Sequence, residues 1–349
     1  MAHPQTKSSF SFHMKTYQYN QLGLENLILT DAPEPQPGPR DVVVKFHAAS
    51  LNYRDLLFAW GSYNPKPKFP AVPLSDGAGA VVATGKEVTR WKTGDRVCPI
   101  FMQGWISGPC DSAKGATSLG GGGEYAGVLR EFGAFHEEGL VRIPDHLSFE
   151  QAATLPCAAV TAWNALVRVG KVKAGDTILT LGTGAVSIFA LQFAKMHGAR
   201  VIATSSSDAK LARVRELGAD ETINYKKTPD WDAEVRRLTS GIGVDHVVEV
   251  GGAGTLPKSV NAARIEGVVA VIGVLTKGEG LDPIKLLMKS LHVHGIFVGS
   301  REMFEEMNRA IAAGRLLSVI DKTFPFEKTR EALEYLASGS HFGKIVITL

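Results

Sequence analysis

The chain of 349 residues holds only three cysteines, Cys98, Cys110 and Cys157. Their odd number and wide spacing exclude a disulfide framework and fit a reducing compartment. Charge of one sign is also missing. Lys plus Arg exceed Asp plus Glu by 38 − 35 = +3, with no block of like charge. That excess is too small to point to nucleic acid or to an acidic membrane. No apolar run approaches the ~20 residues that span a bilayer. Met1 to His13 is polar and lacks the apolar centre of a signal peptide. It reads as a flexible leader before a fold that starts near Met14. With no targeting signal, the cytoplasm is the expected compartment. What is present is ordinary for a globular protein: 44% hydrophobic and 21% charged residues, with 37 glycines for tight turns. At roughly 100–200 residues per domain, two domains are expected.

The two halves differ in pattern. Ala32 to Pro39 carries four prolines and cannot be a helix or a central strand, because proline lacks the amide donor. Val42–Phe46, Ala78–Ala83 and Arg96–Cys98 follow as short strands, with Thr93-Gly94-Asp95 as a turn and Gly120 to Gly123 as a loop. This spacing predicts a mostly β domain. After Leu147, strands and helices alternate. Helices are expected over Phe149–Leu155, Ala158–Val169, Val186–His197, Lys210–Leu217, Glu302–Ala313 and Lys328–Ser338. Strands are expected over Thr177–Leu181, Arg200–Thr204, Val244–Val250, Val268–Ile272, His292–Val298 and Lys344–Leu349. Such alternation implies a parallel sheet covered on both faces.

Gly182-Thr183-Gly184-Ala185-Val186-Ser187 lies between a predicted strand and a predicted helix. It departs from G-x-G-x-x-G only at Ser187, a residue small enough for helix–strand packing. Gly182 permits the tight turn, Gly184 lets a pyrophosphate approach the backbone, and the amides of Ala185 and Val186 open the helix. An acidic anchor for the ribose 2′-hydroxyl of NADH belongs about 20 positions further on. That point reads Thr204-Ser205-Ser206-Ser207-Asp208-Ala209-Lys210. Its hydroxyls and Lys210 favour the 2′-phosphate of NADPH. Asp208 opposes a phosphate and leaves NADH open.

Several longer patterns now converge. They are Ser50-Leu51-Asn52-Tyr53-Arg54-Asp55, Gly94-Asp95-Arg96-Val97, Gly123-Glu124-Tyr125-Ala126 and Ala152-Ala153-Thr154-Leu155-Pro156 with Thr161-Ala162. Gly175-Asp176-Thr177, Leu217-Gly218-Ala219-Asp220 and Phe342-Gly343-Lys344-Ile345-Val346 complete them. In these the chain resembles the medium-chain dehydrogenase/reductase superfamily, in particular its zinc-free quinone oxidoreductase-like branch. The resemblance implies an α/β fold of two parts. A GroES-like β domain would take residues 1–155 and 300–349. A Rossmann domain with a doubly wound parallel sheet would take residues 156–299. Nicotinamide and substrate would meet in the cleft between them.

The resemblance also implies roles. Catalytic zinc in this superfamily is held by a Cys, a His and a second Cys. Those positions align with Asn52, Ser75 (followed by Asp76) and Cys157, and one thiol cannot hold the ion. The closely spaced cysteines of the structural zinc lobe are missing too. His292 and His294 share a strand face without a third ligand. No metal is therefore expected. Hydride transfer to a quinone or conjugated enone needs less electrostatic help than alcohol oxidation, so that reaction is the leading expectation. The alternatives are alcohol or aldehyde oxidoreduction at a metal-independent site and a non-enzymatic NADPH-binding protein. Asn52 and Tyr63 match cleft residues of the family, and Tyr53 is a further candidate donor. A second cleft tyrosine of the family aligns with Leu57. Thr161, Lys210, Tyr225, Gly251, Gly273, Val274, Phe297, Val298 and Lys344 match positions around the cofactor. The family commonly pairs Rossmann sheets through the last strand, so a homodimer is expected, with a tetramer as the larger alternative.

Overall fold

A computed structural model describes residues 13–278 and 281–349. The expected leader, apart from His13, lies outside them. The chain opens with an antiparallel pair, β1 (His13–Tyr19) and β2 (Leu27–Pro33). The proline run ends β2 and delivers the chain to β3 (Asp41–Ser50). Next come β4 (Asp76–Thr84), β5 (Arg96–Pro99), β6 (Phe132–His136) and β7 (Leu140–Arg142). Strand β3 is nearly all buried, because it pairs with β4 and β6 and later with the C-terminal strand.

The second sheet has six parallel strands: β8 (Thr177–Thr180), β9 (Arg200–Ser205), β10 (Glu221–Asn224), β11 (Val244–Glu249), β12 (Ala263–Val271) and β13 (His292–Gly295). Their order is β10-β9-β8-β11-β12-β13. Counted within the domain this is 3-2-1-4-5-6, the doubly wound order whose crevice at the strand ends takes dinucleotides. Ile178, Leu179, Ile202, Val247, Val248 and Val269 are wholly buried, as strands covered on both faces require. Two last strands, β14 (Ile320–Pro325) and β15 (Lys344–Thr348), return to the first sheet and extend it as β14-β15-β3-β4-β5-β7.

Phe149–Val169 forms one continuous helix where two were expected. Pro156 lacks an amide donor, and the helix absorbs it by widening to π-type winding over Leu155–Ala159 and again over Asn164–Val169. At 21 residues this helix is long and apolar enough to cross a membrane, contrary to the sequence expectation. It is a core helix instead: Ala152, Leu155, Ala159, Ala162 and Leu166 pack into the main apolar cluster. That cluster also holds Phe189 and Phe193 of helix Ala185–Met196 and Ala48 of β3, so one core joins the two sheets. The strand expected over His292–Val298 stops at Gly295.

Candidate functional site

The phosphate loop lies where the sequence places it, between β8 and helix Ala185–Met196. Gly182 has φ +71° and Gly184 is the extended N-cap. A Cβ on either would meet nothing within 4 Å. Packing therefore does not require these glycines. They leave open space in front of the Ala185 and Val186 amides, which is the cradle a pyrophosphate needs. Ser187 is buried and its hydroxyl donates to the Leu181 carbonyl at 2.6 Å. The C-terminal return closes one side of the loop: the Gly343 amide donates to the Thr183 carbonyl at 3.0 Å.

The residues expected at the ribose end lie at the tips of β9 and β10. Ser205 is buried, and its carbonyl accepts the Tyr225 amide at 3.1 Å. Ser207 caps helix Asp208–Glu216, leaving Ser206 at the surface turn. Lys210 Nζ donates to the carbonyls of Gly339 (3.0 Å) and His341 (2.9 Å). These acceptors are neutral, so the ammonium keeps its charge and one N–H for a further partner. Partial burial lowers its pKa. Asp208 is taken up by Asn224 Nδ2 (2.7 Å) and Lys227 Nζ (2.5 Å), which hold its carboxyl below the ordinary range.

On the other side of the switch point, β11 and β12 end in two interlocked loops. Glu249 is wholly buried, and its Oε1 accepts the amides of Gly251 (2.7 Å) and Gly252 (3.0 Å) and the Thr255 hydroxyl (2.6 Å). Ser259 donates to Oε2. A Cβ on Gly273 would lie 1.9 Å from the Val250 carbonyl, so this close approach demands glycine. Val274 and Phe297 stand exposed, and the Phe297 ring meets the Phe101 ring edge-on at 5.9 Å. Val298 has φ +55°, a costly conformation for a β-branched residue. Asn164 Nδ2 fixes it by donating to the Val298 carbonyl at 2.8 Å. Thr161 is buried, and its hydroxyl bonds back to the Cys157 carbonyl at 2.7 Å.

Asn52 caps helix Tyr53–Ala59, with its amide donating to Asp55 Oδ2 at 2.8 Å. Beneath it lies Lys344, 1% exposed, which corrects the expectation that this lysine itself reaches the cofactor. Its Nζ donates to the Leu51 carbonyl (2.7 Å) and Asn52 Oδ1 (2.9 Å) and stands 3.5 Å from Asp76 Oδ2. An ammonium only donates. It therefore holds the Asn52 amide with its oxygen toward the lysine and leaves Nδ2 as the remaining donor. Nδ2 is buried and has no partner among the described residues. Asp76 also receives the Ser75 hydroxyl (2.7 Å) and the Cys157 amide (3.2 Å). Burial pushes the Cys157 thiol well above its ordinary range. Tyr63 stacks on the Arg54 guanidinium at 4.5 Å, whereas the exposed Tyr53 packs against Trp60. Trp105 belongs to the core.

Residues 185–313 match the zinc-binding dehydrogenase family and residues 38–145 the alcohol dehydrogenase GroES-like domain. A zinc-type alcohol dehydrogenase-like protein of Schizosaccharomyces pombe is 43% identical over 94% of this chain and 96% of its own. The chain belongs to the medium-chain dehydrogenase/reductase superfamily. Another relative, the quinone oxidoreductase of Homo sapiens, is 29% identical over 92% of each chain. Among solved structures, an NAD-dependent alcohol dehydrogenase superposes with TM-score 0.87 at 35% identity, covering 96% of this chain and 99% of that one. A quinone oxidoreductase of Pseudomonas syringae gives TM-score 0.81 at 29% identity, covering 96% and 100%. This member of the superfamily is an NAD(P)-dependent oxidoreductase with a GroES-like domain and a Rossmann domain. Three of its buried polar residues, Glu249, Asn164 and Arg54, escaped sequence reasoning. Each carries its meaning in contacts between distant segments.

Proposed function

We propose that the protein uses NADPH to reduce a quinone or a conjugated enone without catalytic zinc. The observation that carries this reading is the buried Lys344 ammonium among Asn52, Asp76 and Cys157. Zinc does not fit these donors. The Asn52 oxygen already accepts a hydrogen bond from Lys344, the Ser75 hydroxyl donates to Asp76, and burial disfavours the Cys157 thiolate that zinc requires. A dication would also stand close to a lysine cation that is 1% exposed.

A nicotinamide dinucleotide does fit. Gly182, Gly184 and the Ala185 and Val186 amides would hold its pyrophosphate. Ser205, Ser206, Lys210 and Tyr225 would hold the phosphorylated ribose. The loops at Gly251 and Gly273 and the Phe297-Val298 backbone would flank the nicotinamide. When bound, it supplies a hydride. The chain contributes orientation and electrostatics, with Asn52 Nδ2 as an unspent donor. Alcohol or aldehyde oxidoreduction is the second reading, favoured by the names of several relatives.

A homodimer joined through the Rossmann sheets is part of the proposal. Every residue of the edge strand β13 is exposed, and helix Pro283–Lys289 beside it exposes Ile284, Leu287 and Met288. The test of function is a turnover screen of quinones, enones, aldehydes and alcohols with both cofactors, with and without a chelator. NADPH-driven reduction of quinones or enones that survives chelation is expected. Activity confined to alcohols and lost on chelation overturns the proposal.

A further inference from the structure

Arg54 stands at the second position of helix Tyr53–Ala59, two residues after Asn52. It is 8% exposed. Its guanidinium is sandwiched between the rings of Tyr63 (4.5 Å) and Phe101 (4.7 Å). Nη1 donates to the Leu119 carbonyl at 2.7 Å, whereas Nε and Nη2 are buried without a partner among the described residues. A glycine loop closes over it. A Cβ on Gly121 would lie 2.9 Å from Nη2 and 3.1 Å from the Tyr63 ring, and Asn64 Nδ2 pins the loop by donating to the Gly121 carbonyl at 2.9 Å.

This arrangement is expensive. Taking a cation from water costs several kcal/mol unless a counter-charge and hydrogen bonds replace the lost solvent. Two aromatic faces recover part of that, and one carbonyl satisfies one nitrogen. The remaining donors are unmatched, and buried donors of native proteins are rarely left so. The neighbouring cation, Lys344, has its counter-charge in Asp76. Arg54 has none. Its position is also telling: Phe101, on which it stacks, touches Phe297 beside the nicotinamide segment.

We propose that Arg54 is a catalytic residue that receives the carbonyl oxygen of the acceptor on Nε–H and Nη2–H once the Gly121 loop, which covers these nitrogens, moves aside. The proposal rests on the function read above and supplies its missing electrophile. For an enone, the β-carbon gains a hydride from the reduced nicotinamide. The carbon–carbon π pair moves to the α-carbon side and the carbonyl π pair moves onto oxygen. That oxygen becomes an enolate anion facing the guanidinium, and a proton from water at the α-carbon then restores the ketone. The net change is enone plus reduced cofactor plus one proton, giving saturated ketone and oxidised cofactor. For a quinone the same oxygen charge is that of the hydroquinone anion.

The probe is p-nitrophenol, whose phenolate resembles the developing oxyanion and absorbs visibly. It is titrated against the full-length protein saturated with NADPH. The wild type is expected to bind the phenolate in preference to the phenol, in competition with the acceptor, so that the bound probe ionises at lower pH than the free one. Arg54→Gln is expected to lose that preference and at least tenfold in phenolate affinity, while NADPH affinity changes less than threefold. Its kcat should fall about 10²–10³-fold, the usual loss for one oxyanion donor, with partial recovery in Arg54→Lys. A wild type that does not prefer the phenolate refutes the assignment without any variant. So does an Arg54→Gln protein that binds the phenolate as tightly as wild type. Capture of the phenolate without turnover of any quinone or enone keeps the anion site and sinks the proposed reaction instead.

Discussion

Cofactor choice offers the sharpest perturbation, because one charge separates the two nicotinamide dinucleotides at the ribose end. In Lys210→Ala the ammonium that would meet the 2′-phosphate is gone. Two of its donors are spent on the Gly339 and His341 carbonyls, which leave its charge uncompensated. The nearby Asp321 belongs to Arg213 (3.0 Å) and Tyr335 (2.7 Å), and Asp208 belongs to Asn224 and Lys227. Among the described residues, no carboxylate therefore competes for the lysine at hydrogen-bond distance. A hydrogen bond to a charged group contributes about 1.5–3 kcal/mol, so NADPH should bind roughly 10–100-fold more weakly. NADH, which lacks the phosphate, should change little.

The same substitution removes two hydrogen bonds that tie helix Asp208–Glu216 to the C-terminal return. Each is worth about 0.5–1.5 kcal/mol at most in this half-exposed setting. A small fall in the melting temperature of the cofactor-free protein is expected and does not enter the cofactor comparison. Ser205→Asp acts in the opposite sense at the tip of β9. Its carboxylate repels the phosphate and offers an acceptor to the NADH ribose. Both variants are read by fluorescence titration at fixed ionic strength, since salt screens the charge. If the wild type prefers NADH, or if Lys210→Ala weakens both cofactors equally, the phosphate assignment is wrong.

Lys344→Met leaves Asp76 buried without its cation and should cost about 3–5 kcal/mol; the double variant with Asp76→Asn should recover much of this, and a single variant that melts with the wild type contradicts the ion-pair argument. Glu137 carries a pH dependence. Burial pushes its carboxyl up, but the amides of Thr89 and Arg90 and the Arg40 guanidinium outweigh that and hold it at about 2. A depressed carboxyl stabilises the fold above its unfolded pKa near 4.5, and that stability is lost as pH falls from there through 2. Glu137→Gln should thus cost about 1.5–3 kcal/mol at pH 7 and almost nothing at pH 2, as seen by denaturant titration; an equal cost at both pH values refutes it. For the proposed dimer, Leu287→Glu with Met288→Glu should yield monomers in sedimentation velocity, and an unchanged sedimentation coefficient argues against this interface.

Much of the fold was legible because it rests on local signals. The glycines of 182–184 lie between a strand and a helix, and Gly218 ends a helix as its type predicts. Leu179, Val247 and Val248 read as buried strands from their runs alone. What was illegible depends on meetings across the chain. Phe149–Val169 looked broken at Pro156, because a sequence does not reveal that two π-wound stretches repair the helix. Lys344 sits in a pattern shared with relatives, which suggests the cofactor. Only the pairing of β15 with β3 turns its side chain under Asn52, 292 residues away. Glu249 looked like part of a strand, and its buried carboxylate clasps the loop that follows it.

The two cations at the start of helix Tyr53–Ala59 bear on which substrates such a site can serve. A zinc ion brings two charges directly to the reacting oxygen and lowers the cost of an alkoxide. Lys344 cannot do the same, because Asp76 neutralises it and its contacts end at the Asn52 oxygen. What it delivers is a fixed Asn52 amide with Nδ2 left as an unspent donor. Arg54 delivers one delocalised charge and two N–H groups. This equipment suits an oxyanion whose charge is spread through conjugation, as in an enolate or a hydroquinone anion. It is poorly matched to a localised alkoxide, which has to form before hydride can leave a simple alcohol. Under the proposed reaction, the expected order of reactivity is quinones first, enones next and unactivated alcohols last. Loss of Arg54 should hurt enones more than quinones, since the weaker acceptor depends more on help at its oxygen.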